Sequence, residues 1–222
     1  VFVMSGQDAD LVRSAILTAD FAEFILDGND AVISSGSILA ANSATFTLTG
    51  HDAALQRNVL LSCDGGLFSL SGNATDLSAS RLLIAEAANF ELTGIDADLK
   101  SAYRLQADTG IFNHYGQDSN FRRALTLSLE SGEFTITGHD AALSSGAVFT
   151  ADPGSFALSG EDAGLRARLR MVADNATFTV AGNDIGLSTV YRFAAEYGAF
   201  VFSAQDSGLY ASRLLSAETA LF

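Results

Sequence analysis

The sequence predicts an all-β repeat protein, a β-solenoid with two short strands in each 22-residue coil. Three observations lead to this fold class. Phenylalanine recurs every 22 residues without insertion or deletion, apolar and polar residues alternate within each repeat, and glycine–aspartate turn signals separate the alternating segments. No change of composition marks a linker, so residues 1–222 are treated as a single continuous array. Its ten repeats begin at Phe2, Phe24, Phe46, Phe68, Phe90, Phe112, Phe134, Phe156, Phe178 and Phe200.

The first strand is predicted at the start of each repeat. With each of these phenylalanines as repeat position 1, position 3 is apolar except at His114, and position 5 is glycine except at Ala204. Residues 46–50 read Phe-Thr-Leu-Thr-Gly, which is the period-two alternation of a half-buried strand. The side chains at positions 1 and 3 are therefore expected to fill the core.

The second strand is predicted around positions 14, 16 and 18, where the alternation is less regular, as at Tyr103, Leu105 and Ala107. Two turn signals separate the strands, Gly-x-Asp-Ala and Asp-x-Gly/Ala. The single proline, Pro153, falls in the second turn, where it would interrupt no hydrogen-bonded ladder. Two short strands cannot bury an apolar face alone, so neighbouring repeats are expected to stack on one another.

An antiparallel stack of β-hairpins is the alternative to the solenoid. Tight hairpins need residues at positive φ, which alanine tolerates poorly, although a four-residue hairpin loop would accept it. Position 21 is alanine in half of the repeats: Ala22, Ala44, Ala88, Ala176 and Ala220. The constant repeat length also favours the solenoid, because a coil of changed length would lose register with both neighbours.

Composition narrows the possible partners. The formal net charge is −14, from 26 acidic and 12 basic residues, and such a surface repels nucleic acids and anionic membranes. No apolar run is long enough to span a bilayer. The lone cysteine, Cys63, rules out an intramolecular disulfide framework. The chain begins at Val1 without a recognisable signal peptide, and we expect it to be a mature or trimmed piece of a longer protein.

Two acidic columns are candidates for metal binding. Position 7 is aspartate in every repeat except at Ala74, and position 19 is acidic in every repeat except at Asn42. Stacked aspartates could bind calcium, or each could accept backbone N–H bonds in its own turn. We expect the second, because calcium-binding β-rolls use shorter repeats that are richer in glycine. Position 19 is expected to be a solvated corner, so we predict no metal site and no cofactor.

Histidine and cysteine give no catalytic pattern. His51 and His139 share position 6 but lie four coils apart, about 19 Å, which is too far for a shared metal. His114 is expected to be a buried histidine with its hydrogen bonds satisfied, and Cys63 a packed thiol at a small position. No nucleophile elbow, phosphate loop or metal-ligand spacing is present in the sequence. We therefore predict that the protein is not an enzyme and assign no catalytic residues.

Two other groups of residues could carry a glycan or bind a partner at the surface. Asn73-Ala-Thr75 and Asn175-Ala-Thr177 fit the acceptor pattern for glycosylation, which matters if the source has the machinery. Position 15 is mostly aliphatic and is interrupted by arginines that could contact a glycan or receptor, with plain solvent exposure as the simpler interpretation: Arg104, Arg170 and Arg192.

The repeat resembles the tandem arrays found in predicted structural proteins of phages and prophages, namely their tail or fibre proteins. The resemblance is carried by Phe-Thr-Ile-Thr-Gly-His-Asp-Ala-Ala-Leu at 134–143 and Leu-Gln-Ala-Asp-Thr-Gly at 105–110, and it covers the whole chain. Position 1 is Phe here, where Tyr is more usual in those arrays. The resemblance implies a virion appendage or an extracellular fibre, with no catalytic residues to carry over.

The sequence therefore predicts a structural component of an extracellular filament or phage fibre, located outside the cell or in the virion. The first repeat already matches the consensus, so no polar cap is present, and copies are expected to associate end to end through open β edges. The same feature would arise in a fragment of a longer array. The alternative function is a glycan- or receptor-binding module that uses exposed variable columns.

Overall fold

The computed structural model confirms the β-solenoid. It describes residues 1–11, 16–34, 36, 38–56, 60–78, 81–100, 103–122, 125–144, 146–150, 153–166, 169–188, 191–210 and 213–221. Every strand pair is parallel and offset by one repeat, as in Phe2 with Phe24, Phe24 with Phe46 and Phe178 with Phe200. The hairpin alternative is wrong for the described strands, because it requires antiparallel pairs.

The described strands follow the chain from one coil to the next. Their bounds are β1 (Phe2–Leu11), β2 (Ile16–Ser34), β3 (Ile38–Gln56), β4 (Leu60–Ser71), β5 (Ala74–Ser78), β6 (Arg81–Thr93), β7 (Asp96–Lys100), β8 (Tyr103–Tyr115), β9 (Asp118–Arg122), β10 (Leu125–Thr137), β11 (Asp140–Ser144), β12 (Ala147–Thr150), β13 (Gly154–Ser159), β14 (Asp162–Arg166), β15 (Leu169–Ala181), β16 (Asp184–Ser188), β17 (Tyr191–Ser203), β18 (Asp206–Tyr210) and β19 (Arg213–Leu221). The described residues contain no helix of the length and apolar character needed to cross a membrane.

Most coils contain two strands, as predicted, but the strand boundaries differ from the prediction. In the fifth coil the two strands are β7, of five residues, and β8, of 13 residues. The predicted Asp-x-Gly turn lies inside the long strand, and among the described strands it separates two only around Pro153, where β12 ends and β13 begins. The Asp-Ala of the other predicted turn starts the short strand, as at Asp96.

Burial divides each coil into three faces. Inside the array, the described side chains at positions 1 and 3 are buried, and so are those at positions 8 and 10. The side chains that point inward therefore change from odd to even positions between these two segments. We call positions 21 to 4 the first face, positions 7–11 the second face and positions 14–18 the third face. The side chains at positions 14, 16 and 18, including Tyr103, Leu105 and Ala107, lie outside the described part of the structure.

The core is built from ladders of identical or similar side chains. Phe24, Phe46, Phe68 and Phe90 stack with ring centroids 4.8 Å apart and nearly parallel planes. This distance equals the usual spacing of neighbouring strands, so the rings follow the backbone repeat. Small residues line the second face, where Ala53 is fully buried. The prediction that positions 1 and 3 fill the core is confirmed.

The glycines at position 5 are required by the close approach of neighbouring coils. A Cβ added at Gly72 would lie 2.6 Å from the carbonyl oxygen of Gly50, whereas a Cβ added at Gly186 meets nothing within 4 Å. We expect Gly72→Ala to lower the free energy of unfolding by about 1–3 kcal/mol, because a coil must shift to admit the methyl group.

The control is Gly186→Ala, which is expected to be neutral or stabilising by up to about 1 kcal/mol through the loss of unfolded-chain entropy. Chemical denaturation of the two variants measures the difference. Equal shifts of the unfolding midpoint would contradict the close-approach explanation.

Candidate functional site

Residues of the core columns are less buried at the first coil than in the next coil. Phe2 and Met4 are half-buried, whereas Phe24 is 7% exposed. Their neighbours Val1 and Val3, which lie outside the core columns, are 86% and 56% exposed. Strand β1 pairs with β2 along one edge, and no described strand pairs with its other edge. Among the described residues, this edge of β1 is therefore without a backbone partner, and apolar side chains lie beside it.

The last coil has the same character. Phe202 occupies the position 3 column and is 41% exposed, whereas Ile136 and Leu158 in that column are fully buried. Strand β18 pairs with β16, β19 pairs with β17, and the described residues include no strand beyond them. Both ends thus offer a parallel edge with the same 22-residue period. We call these two surfaces the open ends.

The position 7 aspartates form an exposed column at the start of the second face. All of them are exposed: Asp8, Asp30, Asp52, Asp96, Asp118, Asp140, Asp162, Asp184 and Asp206. The corner beside them is closed by backbone hydrogen bonds between coils, for example from the N–H of Asp96 to the carbonyl oxygen of Asn73 at 3.0 Å. At position 19 the described acidic side chains are likewise exposed, as at Asp20 and Asp108.

His51 and His139 lie on this corner and contact the aspartate column. His139 places Nδ1 3.2 Å from Asp140 and Nε2 2.9 Å from Glu161 of the next coil. The hydrogen bond with Asp140 and the charge of Glu161 raise the pKa of His139. His51 places Nδ1 3.3 Å from Asp52. Four repeats separate the two histidines, so they do not form one site.

Lys100 bridges two stacked carboxylates on the second face, a cluster that sequence reasoning missed. Its Nζ lies 3.3 Å from Asp76 and 3.1 Å from Asp98. Burial lowers the pKa of Lys100, but the hydrogen bond to Asp98 and the charges of both aspartates outweigh burial, so this pKa is raised. The signal was available in the sequence, because Asp76 and Asp98 are one repeat apart and Lys100 follows two residues later. The cluster joins the fourth and fifth coils.

His114 lies in the core, as the sequence predicts. It is fully buried between Leu92 and Ile136 of the same column, and its Nε2–H donates a hydrogen bond to the carbonyl oxygen of Ala97 at 3.0 Å. Burial lowers the pKa of His114 to about 4, against smaller opposing effects from that hydrogen bond and from Asp98. The imidazole is therefore neutral at pH 7.

The remaining candidates are scattered over the surface. Asn73 and Asn175 are exposed, 102 residues apart in sequence, and Arg104 and Arg170 are exposed on the third face. The side chains of Arg192 and Cys63 lie outside the described residues. The backbone of Cys63 pairs with alanines of both neighbouring coils. In the part of the chain that the structure describes, no group of three or more His, Cys, Asp or Glu side chains could hold a metal ion.

Comparison with protein-family models, with curated proteins and with solved structures finds no match for this chain.

Proposed function

We propose that the chain is a structural element of an extracellular filament or of a phage fibre or tail appendage, extended by coil-on-coil stacking at its open ends. The observation that carries this proposal is the contrast within one column. Phe202 is 41% exposed at the last coil, whereas Leu158 at the equivalent position is fully buried under the next coil. An added coil would bury such residues and pair the free strand edge.

Stacking of this kind favours open assemblies. An exposed, flat and apolar strand edge templates pairing with another strand. The first and last coils have the same period and strand direction, so the last coil of one copy can receive the first coil of another. Such a head-to-tail contact is heterologous and does not close on itself, which produces a filament. A continuation of the same polypeptide would satisfy the edge in the same way.

The acidic columns suit this structural role. The exposed aspartates at position 7 place charge along the whole length of the array. A surface of one dominant charge keeps long particles soluble and opposes nonspecific lateral clumping. At moderate ionic strength, salt largely screens this repulsion between charges that are more than about 10 Å apart.

The 222-residue chain is expected to form particles that lengthen with concentration in steps of about 48 Å, the rise of ten coils. Sedimentation velocity and negative-stain microscopy measure this length. In the end-blocked variant, Phe2→Asp with Met4→Asp, the next copy would have to bury two charges, so extension should be lost. The control, Val3→Asp with Ser5→Asp, places the same charges on the outward side of the same strand and should still extend.

Circular dichroism of all variants establishes that the β fold is retained. A compact wild-type monomer at micromolar concentration without longer particles would refute the proposed function. Equal behaviour of the end-blocked variant and its control would also count against stacking at this edge.

A glycan- or receptor-binding module is the second candidate, favoured by the exposure of Arg104 and Arg170 on the third face. Binding to an array of anionic glycans that is lost in Arg104→Gln with Arg170→Gln would support it.

A further inference from the structure

Charge is sorted by repeat position. All 12 basic residues fall at positions 11–15, and none of the 26 acidic residues does. The basic residues are Arg13, Arg57, Arg81, Lys100, Arg104, Arg122, Arg123, Arg166, Arg168, Arg170, Arg192 and Arg213. In eight of the ten coils the basic residues therefore fall between the end of the second face and the start of the third face, and the acidic residues fall at other positions; the second and seventh coils contain no basic residue.

The third face runs from this basic corner to the acidic column at position 19. Arg104 and Arg170 are exposed at position 15, near one margin of the face. Asp20, Asp64 and Asp108 are exposed at position 19, on its other margin. The face thus carries exposed arginines near one long edge, in its fifth and eighth coils, and acidic residues along the opposite edge.

Between these margins most side chains are small, and near one margin several are aliphatic. The central column, position 17, consists mostly of Thr, Ala and Ser, as at Thr18, Ala40 and Ser62. In the first four coils position 15 is aliphatic, and Ile16 is 70% exposed while Ile38, Leu60 and Leu82 are half-buried. A contiguous, partly exposed aliphatic column of this kind is typical of an interaction surface.

We propose that the third faces of two copies pack on each other about a two-fold axis parallel to the solenoid axis. This operation brings position 15 of one copy opposite position 19 of the other and leaves position 17 facing itself. Coils stay in register, so Arg104 lies opposite Asp108 of the second copy. Each arginine at position 15 then meets the acidic residue at position 19 of the other copy, and the small central residues allow the two sheets to approach.

The other two-fold arrangement is electrostatically unfavourable. An axis perpendicular to the solenoid axis would make the copies antiparallel and bring position 19 of one copy opposite position 19 of the other. Acidic residues would then face acidic residues along the interface, which is destabilising. Charge complementarity therefore selects the parallel pair.

The face is large enough for a stable pair. The third face together with position 19 is six residues of strand wide, so ten coils cover about 20 Å by 48 Å, or about 950 Å² on each copy. Standard protein–protein interfaces bury about 800 Å² on each partner. The pair leaves both open ends of each copy accessible, so it can exist with or without end-to-end stacking.

The first experiment measures pairing in the end-blocked variant, Phe2→Asp with Met4→Asp, so that failure of stacking and failure of pairing are distinguishable. Sedimentation equilibrium at low salt is expected to give a dimer. Adding Arg104→Gln and Arg170→Gln removes four inter-copy charge contacts and should weaken dimerisation at least about tenfold, with the difference shrinking at high salt. Gln117→Glu with Gln205→Glu makes the same net-charge change at exposed residues off this face and should leave dimerisation within about threefold.

The second experiment tests the symmetry by crosslinking. In a Cys63→Ala background, Ser62→Cys places a thiol in the central column, where the proposed axis brings it opposite its own copy. A short bifunctional thiol reagent is expected to give covalent dimers with Ser62→Cys and none with Ser69→Cys on the first face. Preferential crosslinking of Ser62→Cys to Val172→Cys in a mixture would indicate the antiparallel arrangement and overturn the proposal.

A monomer at all concentrations, or a dimer that responds equally to both charge variants, would also overturn it. If the end-blocked protein stays monomeric but binds an anionic polysaccharide through Arg104 and Arg170, the third face is a polyanion-binding surface instead.

Discussion

Phe134→Ala is expected to lower the free energy of unfolding by about 3–5 kcal/mol, the usual cost of removing a buried aromatic ring. Phe134 is 2% exposed and lies in the phenylalanine ladder, with its ring centroid 6.4 Å from that of Phe112. Coils above and below hold their backbones at the ladder spacing, so they cannot collapse into the space that the ring leaves. The cavity term therefore adds to the lost transfer free energy.

Asp140→Ala is the control in the same coil and should cost about 1 kcal/mol or less, the range of a single exposed polar contact. The Asp140 side chain is 55% exposed and contacts His139, which is itself exposed. Chemical denaturation measures the free energy of unfolding of both variants, and the two values can be compared directly when the dependence on denaturant concentration has the same slope. Equal losses would mean that the phenylalanine ladder is not the main source of stability.

The fold was predictable because the repeat makes one local pattern occur ten times. A single Phe-x-Leu-x-Gly segment is ambiguous, but its recurrence at a constant spacing requires equivalent residues to stack. The buried positions of the first face followed directly from this argument, as did the burial of His114 in the position 3 column.

The strand boundaries were less predictable, because they depend on contacts between coils. Residues 96–100 look like a turn when local rules are applied to Asp-Ala, yet they form β7 with partners in the coils on both sides. The corner before β7 is held by bonds such as that from the N–H of Ile95 to the carbonyl oxygen of Asn73 at 2.8 Å. Turn propensities describe single chains and contain no information about such stacking.

The charged clusters could be identified only from the repeat spacing and the structure together. The spacing of Asp76 and Asp98 places them in one column, but the contact of Lys100 with both depends on side-chain conformation. Similarly, the sorting of basic residues into positions 11–15 is visible in the sequence, but its meaning depends on where the three faces of the coil lie.

The wild-type protein is expected to lose stability on acidification because of His114. Its pKa is about 4 in the folded chain and about 6.5 in the unfolded chain, so the folded state favours the neutral ring. The stabilisation is fully present above pH 6.5 and is lost as the pH falls from about 6.5 to about 4. In this range the histidine is protonated in the unfolded chain but stays neutral in the folded chain. One site with this difference changes the free energy of unfolding by about 3 kcal/mol.

His114→Leu isolates this effect from the titration of the many carboxylates, since it supplies the residue that is commonest at position 3. The difference in unfolding free energy between wild type and His114→Leu should change by about 3 kcal/mol between neutral pH and pH 4, in favour of the leucine variant in acid. His51→Gln removes an exposed histidine and should leave the pH dependence of the wild type intact. Because neighbouring coils bury the ring from both sides, protonation would place a charge inside the ladder, where the hydrogen bond to Ala97 cannot replace its hydration. A pH-independent difference between wild type and the leucine variant would show that the ring is hydrated, and therefore that the coils around it separate in solution.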